Sequence, residues 1–252
     1  MPTLQTALSH FNTDLARARA LMNNSALVPA CTEDMLRSAL MFAVGACDAY
    51  FADSYADLLS RTLRAKELEP TVQLPNRLNN LKIPVTAMLR ATTMPGWKWR
   101  MAARELVEKE NVLSFDQIRG LFNQFFPKKN GLLSRDRVCG WMSNPQAKRR
   151  QFGKTAAEIN ALPVAGQDAA KERALEHFEN KFGTIFQRRH DCIHCCDRPK
   201  VAIQAIKPSA VQKKIDDIEF LVNRCHAELD ARFPLYLTDL GFGPVTRNQV
   251  SM

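Results

Sequence analysis

The residues of this chain best suited to chemistry lie in the segment 189–194, RHDCIH, in which Arg189 precedes His194 by five positions. An arginine keeps its positive charge at physiological pH and presents a planar fork of donors to phosphate oxygens. An imidazole has an ordinary pKa of about 6.5, so it both takes and gives protons at neutral pH. A fixed cation and a proton-transfer group are the minimum set for cleaving RNA without a metal ion.

The spacing of this pair has a geometric consequence. On one continuous α-helix, residues five apart are rotated from one another by about 140°. Arg189 and His194 of one such helix would not converge on one phosphate. Either the helix begins or breaks within the segment, or two copies of the chain face each other and form a composite site.

Positive charge is concentrated around this segment and in one other stretch of a chain whose formal net charge is +9. Residues 128–154 contain eight basic side chains and one acid, and residues 181–200 contain five basic side chains and two acids. A phosphate-bearing partner such as RNA accounts for this pattern, and so does a basic surface kept for solubility. The side chains predicted to bind RNA are Arg188, Arg198, Lys148, Arg149 and Arg150.

Composition indicates an ordinary globular protein rich in helices. The chain is 46% hydrophobic and 24% charged, and it contains only 10 glycines in 252 residues. The first residues show no signal-peptide pattern, and no apolar stretch approaches the length of about 20 residues that a membrane span requires. We therefore expect a cytoplasmic all-α protein with no membrane partner.

Apolar residues spaced by three and four predict four helical blocks. The first covers about 4–22, and the second begins at Thr32 and ends near Arg64. The third leads into Arg189, and the last begins after Pro208 with a seam that packs either within the chain or against a second subunit. The predicted buried face of the second block consists of Leu36, Leu40, Ala43, Cys47, Phe51, Tyr55 and Leu58.

Prolines interrupt the middle of the chain and limit it to short helices and turns. Within this region Ser114 and Gln117 have the spacing of a helix capping box. We predict a single domain at 1–235 that carries an insertion at about 70–163. Residues 236–252, which contain glycine and proline, are predicted to form a loosely ordered tail.

The motif and its setting resemble those of HEPN domains, an all-helical family of ribonuclease toxins and defence effectors. The segment 189–194 has the family's form, arginine, a polar residue, three further residues and histidine, at the end of an amphipathic helix. The segment 195–199, CCDRP, is similar to the RiboL-PSP branch. The segment 42–50, FAVGACDAY, resembles the first core helix, in which an acid followed by an aromatic residue is usual.

The resemblance implies a HEPN-like helical bundle with a helical or loop insertion between its core helices. It also implies a metal-independent endoribonuclease that needs no cofactor. In the family reaction a ribose 2′-hydroxyl attacks the adjacent phosphorus and leaves a 2′,3′-cyclic phosphate and a 5′-hydroxyl. The implied setting is a bacterial toxin or antiphage defence effector, active as a homodimer with a composite site and restrained by an antitoxin protein.

The resemblance also assigns roles to individual residues. Arg189 would bind the phosphate and His194 would transfer the proton. His190 would orient Arg189, contact the scissile group or serve as a second proton-transfer residue. Asp48 would hold the guanidinium of Arg189 in an ion pair, unless it simply lies on the exposed flank of its helix.

Two other interpretations remain open from the sequence. Five residues between 190 and 196 are histidine or cysteine, which are zinc ligands. Their spacing is too dense for a zinc finger, so we expect no metal and regard the cysteines as small buried packing residues. The alternatives to the enzyme are a non-catalytic helical module that binds RNA or protein and a zinc-stabilised DNA-binding regulator.

Overall fold

The computed structural model of the chain describes residues 4–82, 86, 89, 97–107, 112–126, 131–198 and 202–251. Within these residues the protein consists of helices and contains no strand, which confirms the predicted all-α class. The α-helices are α1 (Leu4–Asn24), α2 (Thr32–Leu68), α3 (Asn76–Asn79), α4 (Trp97–Val107), α5 (Phe115–Phe122), α6 (Arg135–Trp141), α7 (Arg149–Phe152), α8 (Ala156–Asn160), α9 (Val164–His194), α10 (Pro208–Asp239) and α11 (Pro244–Ser251).

The long second helix agrees with the sequence pattern. It begins at Thr32 as predicted and ends at Leu68, four residues beyond the predicted end at Arg64. Glu33 and Asp34 lie in its first turn, where negative charge favours the helix dipole. All seven residues of its predicted inner face are buried, with exposures of 3% or less.

The same helix requires one correction. By length and mean hydropathy, the segment Pro29–Leu68 is apolar enough to cross a membrane, contrary to the expectation that no stretch approaches that length. Within its most apolar window, 56% of the residues are buried inside the protein. The core helix of a globular protein has the same length, apolar character and burial, so this observation is weak support for a membrane span.

The chain divides into two compact units, each assembled from separated stretches. The first unit contains Met1–Ser9, Asp48–Leu132 and Cys225–Met252, and the second contains His10–Cys47 and Leu133–Arg224. The division after Leu132 falls inside the insertion predicted at about 70–163. That segment is therefore shared between the two units and is not one separate body.

Aromatic side chains form much of the core of the first unit. Phe122 lies edge-on to Tyr55 with 5.9 Å between ring centroids, and Phe125 lies edge-on to Tyr236 at 5.6 Å. Phe122 and Phe125 are fully buried. Such edge-to-face pairs stabilise a core beyond the area they bury.

The prediction of a loosely ordered tail at 236–252 is wrong for the residues that the structure describes. Helix α10 continues to Asp239, and α11 covers Pro244–Ser251. Phe242 is 3% exposed and Val250 is 6% exposed. The side chain of Arg61 donates from Nε to the carbonyl oxygen of Val250 at 2.8 Å. The glycines and proline of this segment led to the prediction of a loose tail. Its buried apolar side chains and this hydrogen bond keep the segment ordered.

Ser114 caps the start of α5, as the sequence predicts. Its Oγ accepts a hydrogen bond from the backbone N–H of Gln117 at 3.1 Å. We expect Ser114→Ala to lower the free energy of unfolding by about 1 kcal/mol, because that N–H loses its acceptor. Urea denaturation measures this loss. The Ser114→Gly variant should lose only a few tenths of a kcal/mol by the same principle, and equal stability of all three proteins would refute the cap.

His226 gives the first unit a dependence on pH. Its ring lies 6.2 Å from that of Tyr50, and burial lowers its pKa, which the nearby charge of Asp230 raises only in part. Because the folded state disfavours protonated His226, the unfolded chain gains the proton more readily as the pH falls. This contribution to stability is complete above the ordinary histidine pKa of about 6.5 and is lost as the pH falls through the lower folded-state value.

We therefore expect urea midpoints to fall between about pH 7 and pH 5, the range in which histidines titrate. His226→Gln should make this fall shallower, because the variant has no imidazole at this position to be protonated. Parallel curves for wild type and His226→Gln would contradict the assignment.

The second unit has its own aromatic core. Phe152 stacks on Phe178 with 5.1 Å between ring centroids, and Trp141 lies edge-on to Phe178 at 6.0 Å.

The predicted seam of α10 is entirely buried within the chain, with every residue at 0% exposure. It is therefore not available to a second subunit. The seam residues are Val211, Ile215, Ile218, Val222, Cys225 and Leu229.

Candidate functional site

The motif lies at the carboxyl end of α9, and the helix runs through it without a break. Phe178, Phe182 and Ile185 are buried as the sequence stripe predicts, and they anchor this end of the helix in the core. Helix α9 ends at His194, so the arrangement in which the helix starts or breaks inside the motif does not occur. Within one chain, Arg189 and His194 are therefore rotated by about 140° around one helix.

The two histidines of the motif lie together. His190 and His194 are one helical turn apart, and their ring centroids are separated by 4.4 Å with 42° between the planes. Both side chains are exposed to solvent. Because an imidazole can take or give a proton, two imidazoles at this separation can act as an acid and a base on one substrate.

Arg188 and Arg189 are neighbours in sequence with different surroundings. Nη2 of Arg188 donates to Oδ2 of Asp197 at 2.7 Å, and Nη1 donates to Oε1 of Gln204. The side chain of Arg188 is only 11% exposed. Its guanidinium is therefore occupied within the protein, and its role in RNA binding stays a prediction. Arg189 is half-buried and forms no ion pair or side-chain hydrogen bond with any residue that the structure describes.

Asp197 accepts the hydrogen bonds that fix the chain at the carboxyl end of α9. The residue is 0% exposed, and its Oδ2 accepts from Nε of Arg37 at 2.7 Å as well as from Arg188. Its backbone N–H donates to the carbonyl of Asp191 at 2.9 Å, six residues earlier, and this bond closes the end of the helix. Asp197 therefore joins the chain after the motif both to α9 and to α2.

This turn contains two residues in the left-handed region, Cys196 at φ 46° and Asp197 at φ 59°. A residue other than glycine in this conformation costs about 1–3 kcal/mol. The conformation persists only where surrounding contacts impose it. The two arginines on Asp197 supply such contacts. The backbone directly after His194 is thus held in a conformation that it would not adopt alone.

Arg37 completes the network from α2. Nη2 donates to Glu33 at 2.8 Å and to the carbonyl of Gln204 at 2.9 Å, and Nη1 donates to Asp34 at 3.2 Å. Burial disfavours the charge of Arg37, but hydrogen bonds to Asp197 and Glu33 outweigh burial and raise its pKa. Sequence reasoning did not identify Arg37, because a pair 160 residues apart leaves no local pattern.

Asp191, inside the motif, belongs to the same network. Its Oδ1 accepts from Gln187 at 2.8 Å and its Oδ2 accepts from Gln204 at 3.3 Å. Gln204 thus contacts Arg188, Arg37 and Asp191. The polar residues of the motif therefore divide into a buried set that orders the helix end and an exposed set, His190 and His194, that faces solvent, with Arg189 half-buried beside them.

Asp48 lies half-buried on α2 and belongs to the first unit, whereas Arg189 belongs to the second. Asp48 has interactions of its own. Its assignment as the acidic partner of Arg189 stays a prediction.

The other residues predicted to bind RNA differ in how accessible they are. Arg198 and Lys148 are exposed. Arg149 pairs with Glu158 at 3.2 Å, yet 67% of its side chain is exposed. Arg150 contacts the fully buried carboxylate of Asp217 at 2.9 Å, so part of its charge is used inside the protein. Lys128 and Lys129 of the basic stretch lie outside the described residues.

The cysteines near the motif are not all packing residues, contrary to the prediction. Cys195 and Cys196 are exposed, and Cys192 is half-buried. Burial, with a smaller effect of the charge of Asp197, raises the pKa of the Cys192 thiol, so this residue is protonated at neutral pH. Across the described part of the chain, no three His, Cys, Asp or Glu side chains are grouped as metal ligands would be.

Taken together, the exposed end of α9 presents a cation and two imidazoles on a helix end that a buried network orders. These are groups that can bind a phosphodiester and move protons beside it. No family model, curated protein or solved structure matches the chain.

Proposed function

We propose that the protein is a metal-independent endoribonuclease of HEPN type. Arg189 binds the scissile phosphate and stabilises the negative charge that builds up in the transition state. His194 takes the proton from the attacking 2′-hydroxyl, and His190 gives a proton to the departing 5′-oxygen. The products are a 2′,3′-cyclic phosphate and a 5′-hydroxyl.

One observation carries this proposal: the contrast between Arg188 and Arg189. Arg188 is engaged by Asp197 and Gln204, whereas Arg189 forms no ion pair within the described residues. A half-buried guanidinium that pairs with no acid among the described residues, on the same helix end as two exposed imidazoles, is suited to an external anion. A merely structural arginine is more often found paired, as Arg188 is.

The continuous helix favours a composite site in a homodimer. Because Arg189 and His194 point in directions about 140° apart, a second copy can supply the arginine to the first copy's histidines. Mixing Arg189→Ala protein with His194→Ala protein, followed by exchange of subunits, tests this. A heterodimer of the two contains one complete site, so the mixture should regain part of the cleavage that each variant lacks. If the mixture cleaves RNA no faster than either variant alone, the composite site is refuted.

A ribonuclease of this kind would be harmful to its own cell unless restrained. The role that fits is therefore a bacterial toxin or antiphage defence effector, kept inactive by an antitoxin protein. Co-expression with proteins encoded beside it, scored by growth of the host, would test this role. If the His194→Ala variant is still toxic, the toxicity does not come from RNA cleavage.

The experiment that tests the reaction is cleavage of total RNA in the presence of EDTA. We expect cutting to survive chelation and the 3′ ends of the products to resist ligation to a 5′-phosphorylated adapter until the cyclic phosphate is removed to leave a 3′-hydroxyl. If cutting stops when the metal is removed, the proposed mechanism is wrong. If RNA is bound tightly and never cut, the chain is a non-catalytic RNA-binding module.

A further inference from the structure

The second unit contains a cavity of about 300 Å³ that none of the residues assigned above to catalysis lines. One wall is formed by the segment before and within α7, with Gln146, Lys148 and Arg150. The second wall is formed by α10, with Asp216, Glu219 and Asn223. This volume is at the lower end of the range for small-molecule sites.

The α10 wall presents a fixed hydrogen-bond acceptor. Arg19 binds the carboxylates of both Asp216 and Glu219. Its Nη2 lies 2.7 Å from Oε2 of Glu219 and 3.3 Å from Oδ1 of Asp216. Oδ1 of Asp216 also accepts from Gln212 at 2.6 Å. Oδ2 of Asp216 accepts no hydrogen bond from the described part of the chain. The orientation of this side chain is therefore set, and one of its oxygens is left for another donor.

The wall formed by α7 and the segment before it contributes cations. Lys148 is exposed and has no ion pair within the residues that the structure covers. Arg150 uses Nη2 on Asp217 at 2.9 Å, while its buried Nε has no hydrogen-bond acceptor among those residues. The residues that line the cavity therefore include both cations and carboxylates.

This arrangement selects the class of ligand. Carboxylates on one wall repel a free phosphate, and cations on the other disfavour a simple amine. A nucleotide satisfies both walls, since an exocyclic amine of its base donates to a carboxylate and its phosphate meets Lys148. Adenine, guanine and cytosine carry such an amine, and uracil has a carbonyl at the position of the cytosine amine.

Further cations lie between the cavity and the end of α9. Lys181 lies 3.9 Å from Oδ2 of Asp217, which Arg150 also contacts. Lys214 is partly buried, and burial, followed by the charges of Arg188 and Lys181, lowers its pKa. Lys214 and Glu219 are about 7.5 Å apart along α10. Positive charge therefore continues from the cavity towards the motif, as expected along a bound strand.

We propose that this cavity binds one unstacked RNA base that bears an exocyclic amine, with Oδ2 of Asp216 as the acceptor. The inference rests on the proposed function for the identity of the ligand as RNA. It adds a preference for the base that is bound in this cavity. The contact to the base edge supplies specificity, and the lysines supply affinity that falls with salt.

The test compares two labelled RNA probes, oligocytidine and oligouridine, which differ in having an amine or a carbonyl at one position of the base. Binding is measured by fluorescence anisotropy with the His194→Ala protein, which is not expected to cut the probe. We expect oligocytidine to bind about tenfold more tightly, as one base-edge contact of roughly 1.4 kcal/mol implies.

Asp216→Asn in the same background gives the decisive comparison. The asparagine keeps an oxygen for Arg19 and replaces Oδ2 with an amide that donates, so the preference for oligocytidine should vanish or reverse. Asp230→Asn, an exposed change on the same helix, should leave the preference intact. An unchanged ratio of the two affinities in Asp216→Asn would overturn the inference, as would the absence of any preference before the substitution.

These outcomes are separable from those of the cleavage assay. RNA cleavage by wild type without a base preference at Asp216 leaves the ribonuclease intact and rejects the cavity as a base site. A preference that depends on Asp216 in a protein that cuts no RNA supports the cavity and rejects the ribonuclease.

Discussion

Replacing His194 with alanine is expected to lower the rate of RNA cleavage by about 10²–10⁴-fold, the usual contribution of a positioned acid or base. His194 is the last residue of α9 and is exposed, so its removal takes no side chain from the core. Thermal unfolding should therefore be nearly unchanged. Single-turnover cleavage of a labelled RNA measures the loss.

The matched control for this variant is His177→Ala. His177 lies on the same helix and is also exposed, but it is about 25 Å from His194 along the helix axis. Its cleavage rate should stay within a factor of two or so of wild type, as surface changes away from a site usually have small effects. If His177→Ala and His194→Ala lose activity equally, His194 has no special role.

Arg189 should show a loss of about 10²–10³-fold on replacement with alanine, which is typical for the loss of one group that stabilises transition-state charge. Arg189→Lys keeps the charge and loses the planar fork, so we expect an intermediate rate. Cleavage rates that fall in the order wild type, Arg189→Lys, Arg189→Ala would support phosphate binding through two donors. Wild-type cleavage by Arg189→Ala would exclude it.

The second large effect is on stability. Replacing Asp197 with asparagine is expected to lower the free energy of unfolding by about 3–5 kcal/mol, because two arginines would lose the one carboxylate that both contact. Their side chains are only 10% and 11% exposed, so water compensates little. Asparagine also tolerates the left-handed backbone at this position, which isolates the loss of charge from backbone strain.

Urea denaturation of Asp197→Asn, beside Asp14→Asn as a control, measures this effect. Asp14 pairs with Arg17 at 2.9 Å on an exposed surface, where the side chains are 37% and 64% exposed. Such a pair contributes about 0–1 kcal/mol. A loss for Asp197→Asn that is no larger than that of Asp14→Asn would show that the buried network does not stabilise the fold.

The arrangement also connects stability to activity. Asp197 orders the backbone directly after His194, so the variant should lose cleavage even under conditions where it is fully folded. Arg37→Lys, which keeps a charge on Asp197 from α2, should retain more of both properties. Full activity in folded Asp197→Asn protein would show that the network stabilises the helix end without positioning the histidines.

Local patterns in the sequence were sufficient for the helices and their buried faces. Residues three and four apart share one side of a helix whatever surrounds it, so the inner face of α2 and the seam of α10 follow directly from spacing. The serine cap at Ser114 is equally local. The same reasoning failed at 236–252, because glycine and proline mark possible breaks, while burial of Phe242 and Val250 determines whether the segment is ordered.

By itself the sequence determined the all-α class, the amphipathic helices and the grouping of Arg189, His190 and His194, since all of these depend on residues near one another in the chain. Only the tertiary structure decided which of two adjacent arginines is paired within the protein. Arg188 is occupied because Asp197 and Gln204 fold back on it, and Arg37 meets the same carboxylate from 160 residues away. Charge pairing between distant residues depends on how the helices pack, and a pattern of residue types along the chain does not contain that information.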